Sequence, residues 1–174
     1  MIISVKDLKS KLNINNVTDE VLQDKLEALE YLIRKYTNNN FQVRNVRFKC
    51  NIINGDIEGS SILLNKDDTI EINKSKFNDG IYNITDINEN TILNEKLIDE
   101  NDVLVTKVKY PKDIVVGVVN LIEWDLNNRN KIGIASETIS RHSVTYFNMD
   151  GDNSLMGYPK ALFGFLEPYK KARF

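Results

Sequence analysis

Few residues in this 174-residue chain could carry out chemistry, and the first of them is His142, its only histidine. A serine hydrolase would pair His142 with Ser140 or Ser143 as the nucleophile. Catalytic triads converge from separate elements and need an oxyanion hole. These serines instead neighbour His142 in a stretch whose pattern is typical of an extended chain. We therefore expect no hydrolase site.

Metal and phosphate sites are also not indicated. A zinc site needs three or four Cys, His or carboxylate ligands at recognisable spacing, and Cys50 is the only cysteine. The run from Asp150 to Ser154 opens like a calcium loop, but Leu155 stands where that loop needs glycine and Ala161 where it needs glutamate. The eight glycines are scattered and form no phosphate-binding loop. The sequence predicts a protein that is not an enzyme, with no metal and no cofactor.

Composition narrows the class of protein further. The formal net charge is −2, the pI is about 5.5 and the mean hydropathy is −0.36. This balance argues against sequence-independent nucleic-acid binding, which depends on clustered Lys and Arg. No apolar run approaches the ~20 residues that span a bilayer, and the first residues lack the pattern of a signal peptide. With its single cysteine, the chain is expected in a reducing compartment such as the bacterial cytoplasm, away from membranes.

Two helices are predicted at the start of the chain. Thr18 is a suitable N-cap, and acidic residues follow it in the first turn. A single apolar stripe then recurs at spacings of three and four, and we expect it to end near residues 38–40: Leu22, Leu26, Leu29, Ile33 and Tyr36. A shorter helix over residues 5–12 is expected to pack on this stripe.

Short β-strands are predicted between residues 41 and 110. The runs at 48–53, 60–64, 69–72, 81–87, 91–93 and 103–110 are rich in β-branched and aromatic residues, and turn residues such as Asn54-Gly55 separate them. Such a series predicts a small antiparallel barrel or sandwich. A nucleic-acid-binding barrel has the same outline, and Arg44, Arg47 and Lys49 beside Phe48 are its only supporting signal.

A third helix is predicted to begin at Pro111 and is apolar almost all round. Gly117 within it would permit close approach of another backbone. Two interpretations stand side by side: a central helix covered within the monomer, or a helix that meets a second subunit. In the second interpretation the subunit interface comprises Val115, Val118, Val119, Ile122 and Trp124.

The last part of the chain, residues 131–174, is called the C-terminal arm here. It comprises a Ser- and Thr-rich extended stretch, an acidic turn and a short aromatic block, and Pro168 is expected to end a final helix of about two turns. Such a segment buries little against itself, so we expect another surface to receive it. The predicted fold class is α+β: a small helical bundle core, an inserted antiparallel β-barrel-like module, and an extended C-terminal arm ending in a short helix.

Two motifs of the arm carry a resemblance to a known family. The run from Ile134 to Tyr146 (IASETISRHSVTY) leads into Gly157-Tyr158-Pro159-Lys160, and the chain closes with Phe165-Leu166-Glu167-Pro168-Tyr169. This arrangement resembles the C-terminal signature of head–tail connector (adaptor) proteins of tailed bacteriophages and prophages of the Gram-positive type. The helix after Pro111 and the stretch from Phe77 to Tyr82 are similar as well.

The resemblance implies a virion protein of the neck, between capsid and tail. It implies a homo-oligomeric ring, by family analogy a dodecamer, that docks beneath the portal protein, extends the DNA channel and receives a stopper or tail-completion protein. DNA would pass through the lumen without specific binding. The arm would bind the portal or a neighbouring subunit, as a strand that adds main-chain hydrogen bonds and through aromatic anchors. The residues expected in that contact are Ile139, Arg141, His142, Val144, Tyr146, Tyr158, Pro159, Phe163, Phe165, Leu166 and Tyr169.

The predicted organisation has three parts: residues 1–40 with 111–130 as a discontinuous helical core, 41–110 as a β-rich insertion, and 131–174 as the arm. We expect truncation after Arg129 to leave a soluble core that no longer joins the portal. Two alternatives stay open: a nucleic-acid-binding barrel module, and another neck or tail component such as a stopper, in a phage or a phage-like particle.

Overall fold

The computed structural model describes residues 1–14, 16–131, 136–139, 142–145, 152–155 and 157–172. The chain divides into two compact units. The barrel unit contains Met1 and Asn40–Tyr110, and the helical unit contains Ile2–Asn39 and Pro111–Phe174. The protein is therefore of the α+β class, and the described part of the C-terminal arm belongs to the helical unit.

The barrel unit is a closed six-stranded barrel in which every paired strand is antiparallel. The order around the barrel is β1-β2-β5-β4-β3-β6, and β6 closes on β1. The strands are β1 Gln42–Ile53, β2 Asp56–Ile57, β3 Thr69–Asn73, β4 Gly80–Ile87, β5 Thr91–Leu93 and β6 Glu100–Val108. Closure removes the open sheet edges that would otherwise be prone to pairing with other chains.

Alternation along the strands determines which side chains fill the barrel. In β1, the partly buried Val46, Phe48 and Cys50 pack on the core, whereas Arg47 and Lys49 between them are exposed. This is the period of two that a half-buried strand requires. The buried cluster inside the barrel is entirely aliphatic: Ile52, Ile57, Leu64, Ile70, Ile72, Ile84, Leu93, Val103 and Val105.

The predicted Asn54-Gly55 turn is confirmed and joins β1 to β2. Both residues have positive φ, 55° for Asn54 and 79° for Gly55. This is the backbone of a type I′ hairpin turn, which Asn-Gly favours. The turn is followed by β2, a strand of two residues (Asp56–Ile57) that the sequence pattern did not indicate.

The strand predicted at 60–64 is wrong. Leu64 is buried, but Ile62 is 98% exposed, and the backbone turns where Leu64 N–H donates to Ser61 O at 2.9 Å. The Ser61 hydroxyl also accepts from Leu63 N–H at 3.4 Å. Serine offers the backbone local hydrogen bonds that compete with a sheet ladder, and here the local bonds prevail.

Both N-terminal helices are confirmed. Helix α1 (Val5–Leu12) begins at Ser4, whose hydroxyl accepts from Asp7 N–H at 3.1 Å. Helix α2 (Asp19–Thr37) begins at the predicted N-cap Thr18 and ends at Asn38, which adopts the left-handed conformation of a C-cap. Its predicted stripe is buried at Leu22, Leu26, Leu29 and Ile33.

Helix α3 (Lys112–Asn128) starts one residue later than predicted, with Pro111 as the N-cap. It is not buried all round, because Val116 is 57% exposed. The enclosed positions follow one face, mostly at spacings of three and four, with Val119 beside it: Ile114, Gly117, Val118, Val119, Leu121, Ile122 and Asp125. The apolar composition of α3 therefore predicts more burial than the structure shows, since valines also occupy its outer side.

The chain after α3 forms short elements. A 3₁₀ turn (Arg129–Lys131) is followed by β7 (Ser136–Ile139), β8 (His142–Thr145), β9 (Ser154–Leu155) and β10 (Tyr158–Pro159). The final helix is a 3₁₀ helix, Lys160–Tyr169, which includes Pro168 rather than ending before it. A 3₁₀ helix of this length is uncommon, so packing against neighbouring elements has to stabilise it.

None of the helices that the structure describes is long and apolar enough to cross a membrane.

Two glycines with the same backbone angle provide a test of the barrel turn. Gly55 and Gly59 both have φ +79°, but a Cβ on Gly55 would lie 3.2 Å from Leu97 O, whereas a Cβ on Gly59 meets nothing within 4 Å. Alanine at either position carries the left-handed penalty of about 1–2 kcal/mol. We expect Gly55→Ala to lose about 1 kcal/mol more than Gly59→Ala.

The measurement is urea unfolding of the full chain, followed through amide signals of barrel residues in nuclear magnetic resonance spectra. Equal losses for the two variants would show that the contact with Leu97 does not constrain the turn.

Candidate partner-binding site

The arm consists of two parts that differ in how they are held. Residues 157–172, called the anchored segment here, pack on α2 and α3. Strands β7 and β8 form a separate two-stranded sheet that is joined to no other described strand. The contacts of the anchored segment show which part of the arm packs within the helical unit.

The anchored segment packs beside an ion network that is centred on a buried carboxylate. Asp125 lies on the enclosed face of α3 with only 2% of its surface exposed. Its two carboxylate oxygens are bound by Lys25 of α2 and by Arg129, one turn further along the chain. A carboxylate can remain charged in such a place only when it is paired and hydrogen-bonded. Asp125 thus ties α2 to the end of α3.

Arg129 extends this network to the arm. Its guanidinium carbon lies 4.8 Å from the centre of the Tyr158 ring, a cation–π contact. Gly157, with φ +81°, brings the chain so close that a Cβ there would lie 3.0 Å from Arg129 Nη1. Burial, and next the charge of Asp125, raise the pKa of the Tyr158 hydroxyl. The chain that leaves α3 at Arg129 therefore returns to the same place at Gly157 and Tyr158.

Aromatic rings continue the contact from α3 to α2. Trp124 packs on Tyr158 with ring centres 5.5 Å apart, and Tyr158 meets Phe163 edge-on at 6.0 Å. Phe163 in turn lies 5.9 Å from Tyr36 of α2. Tilted and edge-on pairs of this kind add to the free energy of burial. These four rings are called the aromatic chain below.

Gly117 accommodates a second contact of the 3₁₀ helix. A Cβ at Gly117 would lie 2.3 Å from the Phe165 ring, well inside van der Waals contact. Only glycine lets the ring approach α3 so closely. The close approach predicted at Gly117 thus occurs, but with a side chain of the same chain.

Polar contacts fasten the end of the anchored segment. Tyr169 donates its hydroxyl hydrogen to Asp113 at 2.7 Å, and this bond raises the pKa of Tyr169. Lys171 N–H donates to Thr37 O at 2.8 Å. Lys170 binds Glu167 at 2.7 Å and lowers the pKa of that carboxyl. The C-cap region of α2 therefore receives the last described residues of the chain.

These contacts change the roles of several predicted partner-binding residues. The structure encloses four of them within the helical unit: Tyr158, Pro159, Phe163 and Leu166. Phe165 and Tyr169 are half-buried on α3. All six serve as internal anchors. Truncation after Arg129 would remove Phe163 and Leu166 from the core, so the expected soluble core would instead lose stability.

The remaining predicted arm residues belong to the hairpin or lie outside the description. Ile139 is in β7, and His142 and Val144 are in β8. Arg141 and Tyr146 lie outside the described residues. The register pairs Ser136 with Thr145 and continues to Ile139 with His142. The extended stretch thus pairs with itself instead of running as a single strand.

The hairpin has the main-chain geometry of a docking element. In an antiparallel pair, residues that exchange hydrogen bonds alternate with residues whose N–H and C=O groups point outward. No third described strand covers these outward groups on β7 or β8. An isolated two-stranded hairpin is only marginally stable in water. A strand from a partner would satisfy these groups and extend the sheet.

The predicted subunit-interface residues of α3 divide into two groups. Val118, Val119 and Ile122 are buried within the chain, which favours the interpretation of a helix covered inside the monomer for these three. Val115 and Trp124 are only partly buried, and Trp124 belongs to the aromatic chain. The exposed Val116 was not among the predicted residues.

The possible nucleic-acid signal in β1 is weaker in the structure than in the sequence. Arg44, Arg47 and Lys49 are exposed, but Phe48 packs on the core of the barrel. Lys49 also pairs with Asp102 at 2.7 Å. Binding of single strands combines basic residues with aromatic rings on one face, and the strand period places Phe48 on the face opposite Arg47 and Lys49.

Sequence reasoning missed the ion network of Lys25, Asp125 and Arg129. Part of its signal was present, because Asp125 continues the spacing of Ile114, Gly117, Val118, Leu121 and Ile122, and Arg129 follows it by four residues. Lys25 carried no such signal, since its partner is 100 residues away.

Comparison with known proteins found no protein-family model that matches this chain and no curated protein that matches its sequence.

Asp125 provides a test of the anchoring network. Asp125→Asn keeps the size of the side chain but removes the charge that binds Lys25 and Arg129. We expect a loss of about 1.5–3 kcal/mol of unfolding free energy, as for hydrogen bonds to charged groups. Trp124, the only tryptophan, reports on this unit, so its fluorescence during urea unfolding is the measurement.

Asp19→Asn is the matched control, because the Lys9–Asp19 pair has a carboxylate that is 78% exposed. It should change stability by less than about 0.5 kcal/mol. If the two variants have equal effects, the buried network does not stabilise the unit.

Gly117 and Phe165 provide a second test through a double-mutant cycle. Helix propensity alone favours alanine over glycine by about 1 kcal/mol. Because of the Phe165 ring, we expect Gly117→Ala to destabilise the protein by about 1–3 kcal/mol. With Phe165→Ala already present, the same substitution should stabilise it. Unfolding followed by Trp124 fluorescence measures all four proteins, and additive effects would contradict the contact.

Proposed function

We propose that this protein is a structural subunit of a tailed phage or phage-like particle, a head–tail connector that forms a ring under the portal protein. The ring extends the DNA channel and presents a platform for a stopper or tail-completion protein. In this proposal the protein has no catalytic role, and its site of action is the neck of the virion. The hairpin β7–β8 is the segment that docks on the portal or on a neighbouring subunit.

The observation that carries this proposal is the contrast within the arm. The anchored segment is fastened by ion pairs, aromatic contacts and hydrogen bonds, whereas β7 and β8 pair with no other strand among the residues that the structure describes. A docking element held on a firm base keeps its backbone groups for the partner. Strand addition then supplies main-chain hydrogen bonds without large exposed apolar side chains.

The contacts of Arg129 at the base of the hairpin support the same proposal. Arg129 follows α3 directly, pairs with Asp125 in its last turn and contacts the ring of Tyr158, so the segment from Arg129 to Tyr158 begins and ends at one place. The hairpin within this segment can be removed while β9, which pairs with β10, stays in place. The resemblance of the motifs around Ile139 and Tyr158 to those of phage connectors supplies the identity of the partner, and the hairpin supplies the means of contact.

Excision of the hairpin tests the proposal more sharply than truncation. Residues 132–150 are replaced by a short Gly/Ser linker, which leaves Arg129, β9 with its pairing to β10, and the anchored segment in place. We expect this variant to fold, with the Trp124 emission and unfolding midpoint of the full chain. We also expect it not to join portal rings from the same particle when mixtures are analysed by native mass spectrometry and negative-stain microscopy.

The full chain is the positive control and should form a ring on the portal. If the full chain stays monomeric with the portal present, the connector proposal is wrong. If the excised variant folds and still docks, the protein remains a connector but the hairpin is not its attachment element.

A further inference from the structure

The turn between β1 and β2 contains the only Asn-Gly pair of the sequence. In such a pair the backbone nitrogen that follows asparagine can attack the side-chain carbonyl carbon, and glycine offers no side chain to hinder the approach. Asn54 is exposed, so water and hydroxide reach its side chain, whereas Gly55 is buried. The turn therefore combines the residue types of spontaneous deamidation, and its rate depends on how freely the Gly55 nitrogen can react.

Deamidation requires two changes at the Gly55 nitrogen. This nitrogen gives up its proton to hydroxide and forms a bond to Cγ of Asn54, and the side-chain nitrogen of Asn54 leaves as ammonia. Water then opens the resulting five-membered succinimide ring at one of its two carbonyls, which gives aspartate or isoaspartate. One water is consumed and one ammonia is released. The Gly55 nitrogen must thus lose its hydrogen and also rotate toward the Asn54 side chain.

The contacts of Gly55 oppose both changes. Gly55 N–H donates to the Asp99 carboxylate at 2.9 Å, and Gly55 O accepts from Leu97 N–H at 3.1 Å. A deprotonated nitrogen beside the Asp99 carboxylate would bring two negative charges together, which is unfavourable. The same hydrogen bond restrains the rotation of the peptide group between Asn54 and Gly55. Gly55 is therefore held on both sides by the loop between β5 and β6.

Asp99 is itself held in position through the buried Asn78. The Asn78 side chain accepts from Ile98 N–H and donates to Ile98 O, both at 2.9 Å. The Glu100 carboxylate accepts from the Asn78 amide at 3.2 Å and from Lys76 N–H at 2.8 Å. Because the residues before and after Asp99 are both fixed, the Asp99 carboxylate stays beside the turn.

We propose that Asn54-Gly55 is a deamidation site that Asp99 protects in the folded protein. The Asp99 carboxylate retains the hydrogen on the Gly55 nitrogen and restrains its rotation. The site becomes reactive when this hydrogen bond opens, either in the unfolded chain or in a turn that lacks the carboxylate. This proposal does not depend on the connector function.

The proposal explains how a reactive dipeptide is tolerated in the barrel. A type I′ turn favours Asn-Gly, so the geometry of the hairpin selects the residues that deamidate most easily. Isoaspartate would lengthen the backbone of this two-residue turn by one atom, although a Cβ on Gly55 would already lie 3.2 Å from Leu97 O. Asp99 thus protects a turn in which the modified backbone fits poorly.

The test compares rates of deamidation at mildly alkaline pH. Peptide mass spectrometry follows the exchange of the Asn54 side-chain NH2 group for OH in the folded full-length chain, and the same chain unfolded in urea gives the unprotected rate. We expect Asn54 to react about tenfold more slowly in the folded chain, and Asp99→Ala to remove most of that protection, since such a factor corresponds to one hydrogen bond to a charged group.

Asp99→Asn separates the hydrogen bond from the charge. Its side-chain oxygen can still accept from Gly55 N–H but carries no negative charge, so we expect a rate between those of the original chain and Asp99→Ala. Unfolding curves check that each variant is folded, and Asp99→Asn tests the proposal by itself if Asp99→Ala does not fold.

Asp68→Ala is the matched control. Asp68 also accepts from a backbone N–H, that of Asn65 at 2.7 Å, and it pairs with Lys107. It precedes β3, which begins beside the end of β6, whereas the Asn-Gly turn lies beside the start of β6. This variant loosens the barrel without touching Gly55, so it should leave the rate at Asn54 unchanged.

Three results would overturn the proposal. Equal rates in the folded and unfolded chains would show that the turn gives no protection. A slower reaction in Asp99→Ala would show that the carboxylate acts as a base and promotes the attack. If Asp68→Ala accelerates the reaction as much as Asp99→Ala, general loosening of the barrel controls the rate and the Asp99 contact does not.

Discussion

A buried carboxylate at the end of α3 is the constraint on which the helical unit depends. Asp125 is enclosed where its helix otherwise buries apolar side chains, and it is stable there because Lys25 and Arg129 bind both of its oxygens. The position of Arg129 then determines where Tyr158 packs, and Tyr158 begins the aromatic chain that ends on α2. One charge thus organises two helices and the return of the C-terminal arm.

Within the arm, the residues that stabilise the helical unit are different from those whose backbone groups are left uncovered by described strands. The aromatic residues that resemble interface anchors are used within the chain, where they stabilise a 3₁₀ helix too long to persist on its own hydrogen bonds. The hairpin, by contrast, contributes backbone groups that no other described strand covers. In the proposed connector, a strand of the partner would complete this sheet next to a firmly attached segment.

The barrel unit shows a related separation between its interior and the connections between its strands. Alternation fills the interior with aliphatic side chains, and closure leaves no open edge. The network around Glu100 and Asn78 gives these connections the stiffness that most surface loops lack, and it also holds Phe77 in solvent.

Local sequence signals determined the helices, the caps and most of the strands. Ser4, Thr18 and Asn38 act within a few residues of themselves, and the period of α2 depends on its own side chains alone. Asn54-Gly55 likewise specifies its own turn. The class of fold followed from these signals. The strand expected at 60–64 failed for the same kind of reason, because Ser61 bonds locally.

Only the tertiary structure decided which surfaces are free. Sequence reasoning treated Tyr158, Phe163 and Leu166 as anchors for a partner, but an apolar side chain packs equally well on its own chain, and residue type does not distinguish the two. Lys25 and Asp125 are separated by 100 residues, so no local pattern could pair them. The sequence by itself determined which elements form. Their packing decided what remains exposed, because burial depends on contacts between residues far apart in the chain.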